Sequence, residues 1–190
     1  MTNSYIIILS LLVLFAMPSY AENSDTVALQ TAADKGDAQA QFKLGEIYRS
    51  GNGIPRDYAA ANKWYQKAAD QGYAPAQNRI GGMYENGRGG VTIDYAAAMK
   101  WYHKAADQGD AGAQFNIGWM YERGHGVRQN WEEAYFWYLL AEKSGFNFSS
   151  GNAYAATAYE AVRKSLAPEQ IHAVKQRVQE WKSTHTPSVR

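Results

Sequence analysis

Apolar positions recur at helical spacing along most of this chain. Ala40, Leu44, Ile47 and Tyr48 stand at i, i+4, i+7 and i+8, and Ala61, Trp64, Tyr65 and Ala68 at i, i+3, i+4 and i+7. Each set marks one face of an α-helix. A glycine-rich turn, Gly51-x-Gly53, separates them, so the stretch predicts a helix pair. The same pair returns twice. Gln41, Gln77 and Gln114 fall in one column, as do Gly45, Gly81 and Gly118, and Tyr48, Tyr84 and Tyr121. So do Trp64-Tyr65, Trp101-Tyr102 and Trp137-Tyr138. Gly45 to Gly81 is 36 positions and Gly81 to Gly118 is 37, with Gly90 as the extra residue. A fixed period in this range is the mark of a solenoid, here one built from helix pairs.

The punctuation agrees with that period. Asp57, Asp94 and Asn130 stand where the second helix of each pair begins, and each can accept from exposed backbone amides. Gly72, Gly109 and Gly145 close those helices, where a left-handed residue is usual. Gly87-x-Gly89 and Gly124-x-Gly126 repeat the inner turn. Without a preceding strand or a following Gly-Lys-Ser/Thr, these glycine pairs read as helix–helix turns, not phosphate loops. A glycine inside a helix costs about 1 kcal/mol relative to alanine, so its return at Gly45, Gly81 and Gly118 predicts a close approach of the large aromatics of the second helix.

The flanks divide by the same logic. Residues 1–21 carry an uncharged apolar run, Ile6 to Met17, followed by Ser19-x-Ala21, and predict a signal peptide cleaved before Glu22. Residues 22–36 end in Ala32-Ala33-Asp34-Lys35-Gly36, an echo of the second-helix tails, and predict an N-terminal capping helix. The repeats then occupy 37–72, 73–109 and 110–145. In the third, Phe136, Leu139 and Leu140 replace Lys63/Lys100, Gln66/His103 and Lys67/Lys104. Three outward positions turning apolar require a cover. Residues 146–183 supply it as a degenerate repeat. One helix over 152–165 carries Tyr154, Ala158, Ala161 and Val162 on one side. A second, opened by Pro168, carries Ile171, Val174, Val178 and Trp181. Residues 184–190 read as a flexible tail.

Composition narrows the function. The chain has no cysteine and a formal net charge of +1, with Lys and Arg spread along it. Disulfides and thiol chemistry are excluded, and a one-sided basic patch for nucleic acid is not expected. No stable membrane span is expected after signal cleavage. Chemistry is equally sparse. His103, His125, His172 and His185 form no His-Glu-x-x-His and no i, i+4 pair, so no metal site and no cofactor are expected. His103 and His125 read as exposed, variable positions. Glu132-Glu133 suits the first turn of a helix, and no Gly-x-Ser-x-Gly or Ser-x-x-Lys occurs. No enzyme is expected.

The run Ala-x-Ala-Gln-Phe-x-Ile-Gly-x-Met-Tyr-x-x-Gly-x-Gly-Val, followed by Trp-Tyr-x-x-Ala, resembles the Sel-1-like repeat, a relative of the tetratricopeptide repeat, over Asp37 to Gly145. The resemblance implies an all-α fold, an α/α superhelical solenoid of tetratricopeptide-like helix-turn-helix repeats, and a role as a scaffold or adaptor for a protein or peptide partner. It also implies that an exported bacterial member acts in the periplasm or outside the cell. On the first helices, opposite the core stripe, one row holds Phe42, Glu46 and Arg49, then Asn78, Gly82 and Glu85, then Phe115, Trp119 and Glu122, flanked by Lys43, Arg79 and Asn116. Core columns repeat whereas these vary, as expected of a partner-binding groove. Trp119 either meets a partner or packs on Tyr154 in the C-terminal cap. Recognition of a cell-wall or glycan ligand by the aromatics is the alternative, and a hydrolase built across repeats a more distant one.

Overall fold

A computed structural model of the chain describes residues 24–148 and 153–185; the expected signal peptide lies outside them. Among the described residues there are nine helices and no strand. Helix α1 (Ser24–Asp34) precedes three antiparallel pairs: α2 (Ala38–Ser50) with α3 (Tyr58–Asp70), α4 (Ala74–Asn86) with α5 (Tyr95–Ala106), and α6 (Ala111–Arg123) with α7 (Trp131–Lys143). Helices α8 (Ala153–Lys164) and α9 (Pro168–His185) follow. Each pair packs most closely within itself, successive pairs join through α3 with α4 and α5 with α6, and α1 lies against α2. Both α8 and α9 rest on α7. This is an all-α solenoid.

The helix ends form as their residues dictate. Asp57 accepts from the amides of Ala59 and Ala60, Asp94 from Ala97, and Asn130 from Glu132 and Glu133. These bonds satisfy donors that the helix leaves without intrahelical partners. Gly72, Gly109 and Gly145 take φ of 85°, 85° and 94°, and both glycines of each inner turn are also left-handed.

Inside each pair a tyrosine ring lies flat on a glycine. A Cβ built on Gly45 would stand 2.4 Å from Tyr65, on Gly81 2.5 Å from Tyr102, and on Gly118 2.6 Å from Tyr138. Real Cβ atoms do not approach so closely, so only glycine admits the ring. The helix-propensity loss is offset by burial: the three tyrosines are at most 1% exposed.

A buried amide ladder joins neighbouring pairs. The Nε2 of Gln41, Gln77 and Gln114 donates to the carbonyls of Ala33, Ala69 and Ala106, respectively. The Oε1 of Gln41 accepts from Gln71 and that of Gln77 from Gln108, each at 2.8 Å. The third rung breaks. Ser144 stands where Gln71 and Gln108 stand, and the buried Gln114 Oε1 finds no donor among the described residues.

Phe136, Leu139 and Leu140 are buried, the face of α7 having Val174 and Val178 among its buried neighbours in one apolar cluster. Two expectations for the C-terminal part need correction. On α8 the buried face is Ala155, Ala158 and Val162, while Tyr154 and Ala161 are exposed. Tyr154 instead reaches across to α6. The start of the expected tail is helical, because α9 continues to His185, whose ring stacks on Trp181 at 4.0 Å; the rest of the expected tail lies outside the described residues. No helix among the described residues is long and apolar enough to cross a membrane.

Candidate interaction groove

The first helices α2, α4 and α6 bring most of the expected row together. Glu46 is its first junction. One Oε1 accepts from Tyr65 Oη at 2.6 Å and from Arg79 Nε at 2.7 Å, and Oε2 accepts from Arg49 Nη2 at 2.7 Å. Partial burial alone would push this carboxyl upward, but hydrogen bonds from Arg49, Arg79 and Tyr65 prevail and hold it at about 2. Arg79 comes from α4, so the junction ties the first two repeats. Lys43 lies one turn before Glu46 and is exposed. Asn78 links the second and third repeats, donating to Asp110 and accepting from Asn116, both at 2.9 Å.

The same tyrosines that lie on the glycines recruit carboxylates at their far ends. Tyr102 Oη donates to Glu85, and Tyr138 Oη donates to Glu122 at 2.6 Å. Burial raises both hydroxyls, with the acceptor carboxylates adding to the effect. Burial also raises Glu85, against the lowering effect of its bond from Tyr102. The acids of the row are thus engaged from beneath by the second helices. Glu122 keeps only 12% of its side-chain exposure, whereas Arg49 keeps 40% and Arg79 43%.

Gly82 leaves a notch in the row. Its neighbours in the column are Glu46 and Trp119, and a Cβ placed on it would meet only the Tyr102 hydroxyl, at 3.6 Å.

The three expected groove aromatics are all engaged within the chain, and one of them is buried. Phe115 does not belong to the open row: it is 8% exposed, stacked on Phe146 at 4.5 Å and on Tyr138 at 5.1 Å. The chain after α7 folds back over it. Phe42 is half-buried against Tyr65 and Tyr73. Trp119 packs on the C-terminal region, its Nε1 donating to Tyr154 Oη at 3.0 Å. Arg123 donates to the same oxygen at 2.6 Å, and that hydroxyl lies 3.3 Å from Glu122 as donor. Packing of Trp119 on Tyr154 is one of the two expected alternatives, whereas the part played by Arg123 did not stand out from the repeat columns.

His125 is a further correction. It is half-buried between Tyr95 at 4.5 Å and Trp119 at 4.8 Å, and its Nδ1 has no partner among the described residues. His103 is half-buried too, edge-on to Trp137, and burial lowers its pKa. Among the described residues no group of three or more His, Cys, Asp or Glu is placed to hold a metal ion. A cleft of about 820 Å³ lies away from the row, where the turn before Trp131 meets the turn between α8 and α9. Its acids are engaged within the chain, Glu132 by Gln170 and Glu133 by Arg177.

Fold and row together define a tetratricopeptide-like α/α repeat protein, with variable side chains carried on the first helix of each unit. Residues 38–73, 74–110 and 111–146 each match the Sel1 repeat, more than half of the chain. The protein belongs to the Sel1 repeat family. The chain is similar to the crystal structure of a Sel1 repeat protein from Oxalobacter formigenes, at 27% identity and a TM-score of 0.60, covering 90% of this chain and 82% of that one. It is also similar to c5321, a protective antigen of uropathogenic Escherichia coli with an SLR fold, at 22% identity and a TM-score of 0.44, covering 85% of this chain and 49% of that one. No protein of curated function matches the sequence.

Proposed function

We propose that the protein is a non-catalytic interaction scaffold of the cell envelope, binding a protein or peptide along the groove lined by α2, α4 and α6. The observation that carries this reading is a contrast between columns. Packing columns repeat, with Gly45, Gly81 and Gly118 each under a tyrosine, while the groove column changes from Glu46 to Gly82 to Trp119. A surface that a partner reads at several points needs such differences; a surface that only packs does not. Sel1 repeat proteins generally act as protein-interaction scaffolds, which supports the same reading. Export to the periplasm or beyond rests on the apolar run Ile6 to Met17 and Ser19-x-Ala21. The glycan alternative drew on exposed aromatic rows, and it loses support because Phe115 is buried and Trp119 is tied to Tyr154.

The structure favours Gly82→Trp over Trp119→Ala as the probe, since the latter would also release the C-terminal latch. Affinity capture from envelope extract with the native protein and with a folded Gly82→Trp variant tests the groove. The expected result is a protein partner recovered by the first and lost by the second. Equal recovery by both would remove the groove from the reading. Amino-terminal sequencing of the protein from a periplasmic fraction tests export, with Glu22 as the expected first residue.

A further inference from the structure

The row looks balanced on paper, but its exposed ends are not. Glu46 is filled by Tyr65, Arg49 and Arg79, and Glu85 and Glu122 accept from Tyr102 and Tyr138. Asp110, the next acid near Arg79, is engaged as the cap of α6 and by Asn78. The cations reach further out. Among the described residues, Arg79 donates only through Nε, to Glu46, which leaves its terminal amino groups uncommitted on a side chain 43% exposed. Lys43 is exposed, and no hydrogen bond or ion pair engages it among the described residues. An arginine held at one edge with its other edge open is pre-organised for a carboxylate. Gly82 follows Arg79 by three residues, about 4.5 Å along α4, and its notch has room beside that carboxylate.

We propose that the groove across α2 and α4 recognises an extended acidic segment of a protein partner. One carboxylate pairs with the free edge of Arg79, another with Lys43, and an adjoining side chain sits over Gly82. This inference rests on the groove reading and names the chemistry of its partner. Affinity of this kind weakens with salt, because the cations are exposed and screened.

A displayed library of random linear peptides, selected on the immobilised native protein, tests it. The expected peptides are enriched in Asp and Glu, bind at least fivefold more weakly to Arg79→Ala and Lys43→Glu, and weaken again between about 0.05 and 0.3 M salt, across which the screening length shortens. Both substitutions sit at exposed side chains; Arg79→Ala also gives up the bond to Glu46, so a native circular dichroism spectrum at the binding temperature confirms that each variant is folded. Selection of peptides without acidic enrichment, indifference to both substitutions, or selection of none at all would overturn the proposal. The groove reading fails separately: peptides lacking acids that are still lost on Gly82→Trp would leave the groove standing and sink only its acidic partner. Peptides untouched by Gly82→Trp would sink both.

Discussion

Gly81 and Gly82 are neighbours in one helix, yet the structure assigns them opposite responses to alanine. A methyl on Gly81 would meet the Tyr102 ring at 2.5 Å, on a side chain that is buried and cannot swing away. On Gly82 it would meet only the Tyr102 hydroxyl, at ordinary contact distance. Gly81→Ala should therefore cost about 1–3 kcal/mol by overpacking. Gly82→Ala should be neutral or gain up to about 1 kcal/mol in helix propensity. Urea unfolding of the two variants separates them, and equal effects would mean that the ring does not lie on Gly81 as described. The amide ladder yields a second comparison. Gln41 and Gln77 receive a bond from Gln71 and Gln108, but Ser144 is too short to serve Gln114. The backbone at Ser144 (φ −93°, ψ 6°) is close to that at Gln71 (φ −84°, ψ 3°), so the longer side chain can take the same path. Ser144→Gln should stabilise by about 1 kcal/mol, the net worth of a hydrogen bond completed in the interior. A midpoint that shifts upward at constant denaturant slope would bear this out; an unchanged midpoint would mean that Gln114 is already satisfied.

At the level of elements, α7 was the easiest helix to interpret and the chain after it the hardest. The apolar turn at Phe136, Leu139 and Leu140 required a cover, and the stripe Ile171, Val174, Val178 and Trp181 on α9 had the spacing to provide one. Removing α9 tests that pairing. A chain ending at Lys164 should self-associate in light scattering, because Phe136 and Leu139 return to water. Phe136→Lys with Leu139→Gln, which restore the residue types of the first repeat, should return the shortened chain to a monomer. A shortened chain that stays monomeric without them would show that α9 is no cover. What was legible follows from period: a column seen three times at helical spacing reports packing directly. The groove was legible only in part. Phe42 and Phe115 share a column, yet Phe115 is roofed by Phe146, and that roof comes from a segment with no repeat to compare. The tyrosine–carboxylate bonds were hidden for a different reason. The acceptor shifts from the column of Glu46 in the first pair to that of Glu85 and Glu122 in the next two, so no single column advertises it.

For the molecule as a whole, the same covers set a gradient of stability. The first apolar cluster holds only Ala33, Ala40 and Leu44 as buried members, edged by Leu29, Ile47 and Trp64. The last one joins α5, α6, α7, α8 and α9 through large buried side chains such as Tyr102, Tyr138, Trp137 and Leu140. In a solenoid each repeat is stabilised only by its own interior and its two interfaces, so the ends need not share the stability of the middle. Among the described residues the N-terminal end has α1 as its single outer layer, and Val27 on that helix is exposed. Opening should therefore begin at α1 and α2 and reach α6 and α7 last. Hydrogen exchange followed by mass spectrometry would read this as early labelling of 24–50 and late labelling of 111–143. Uniform exchange along the chain would instead mean that the repeats unfold as one unit. The gradient bears on the groove as well, because Lys43, Glu46 and Arg49 stand on the less protected α2. The junction of Glu46 with Arg79 is the contact that ties this end of the row to α4. A partner bridging α2 and α4 would protect the same amides, so its binding should slow exchange in 38–50 more than in 111–123.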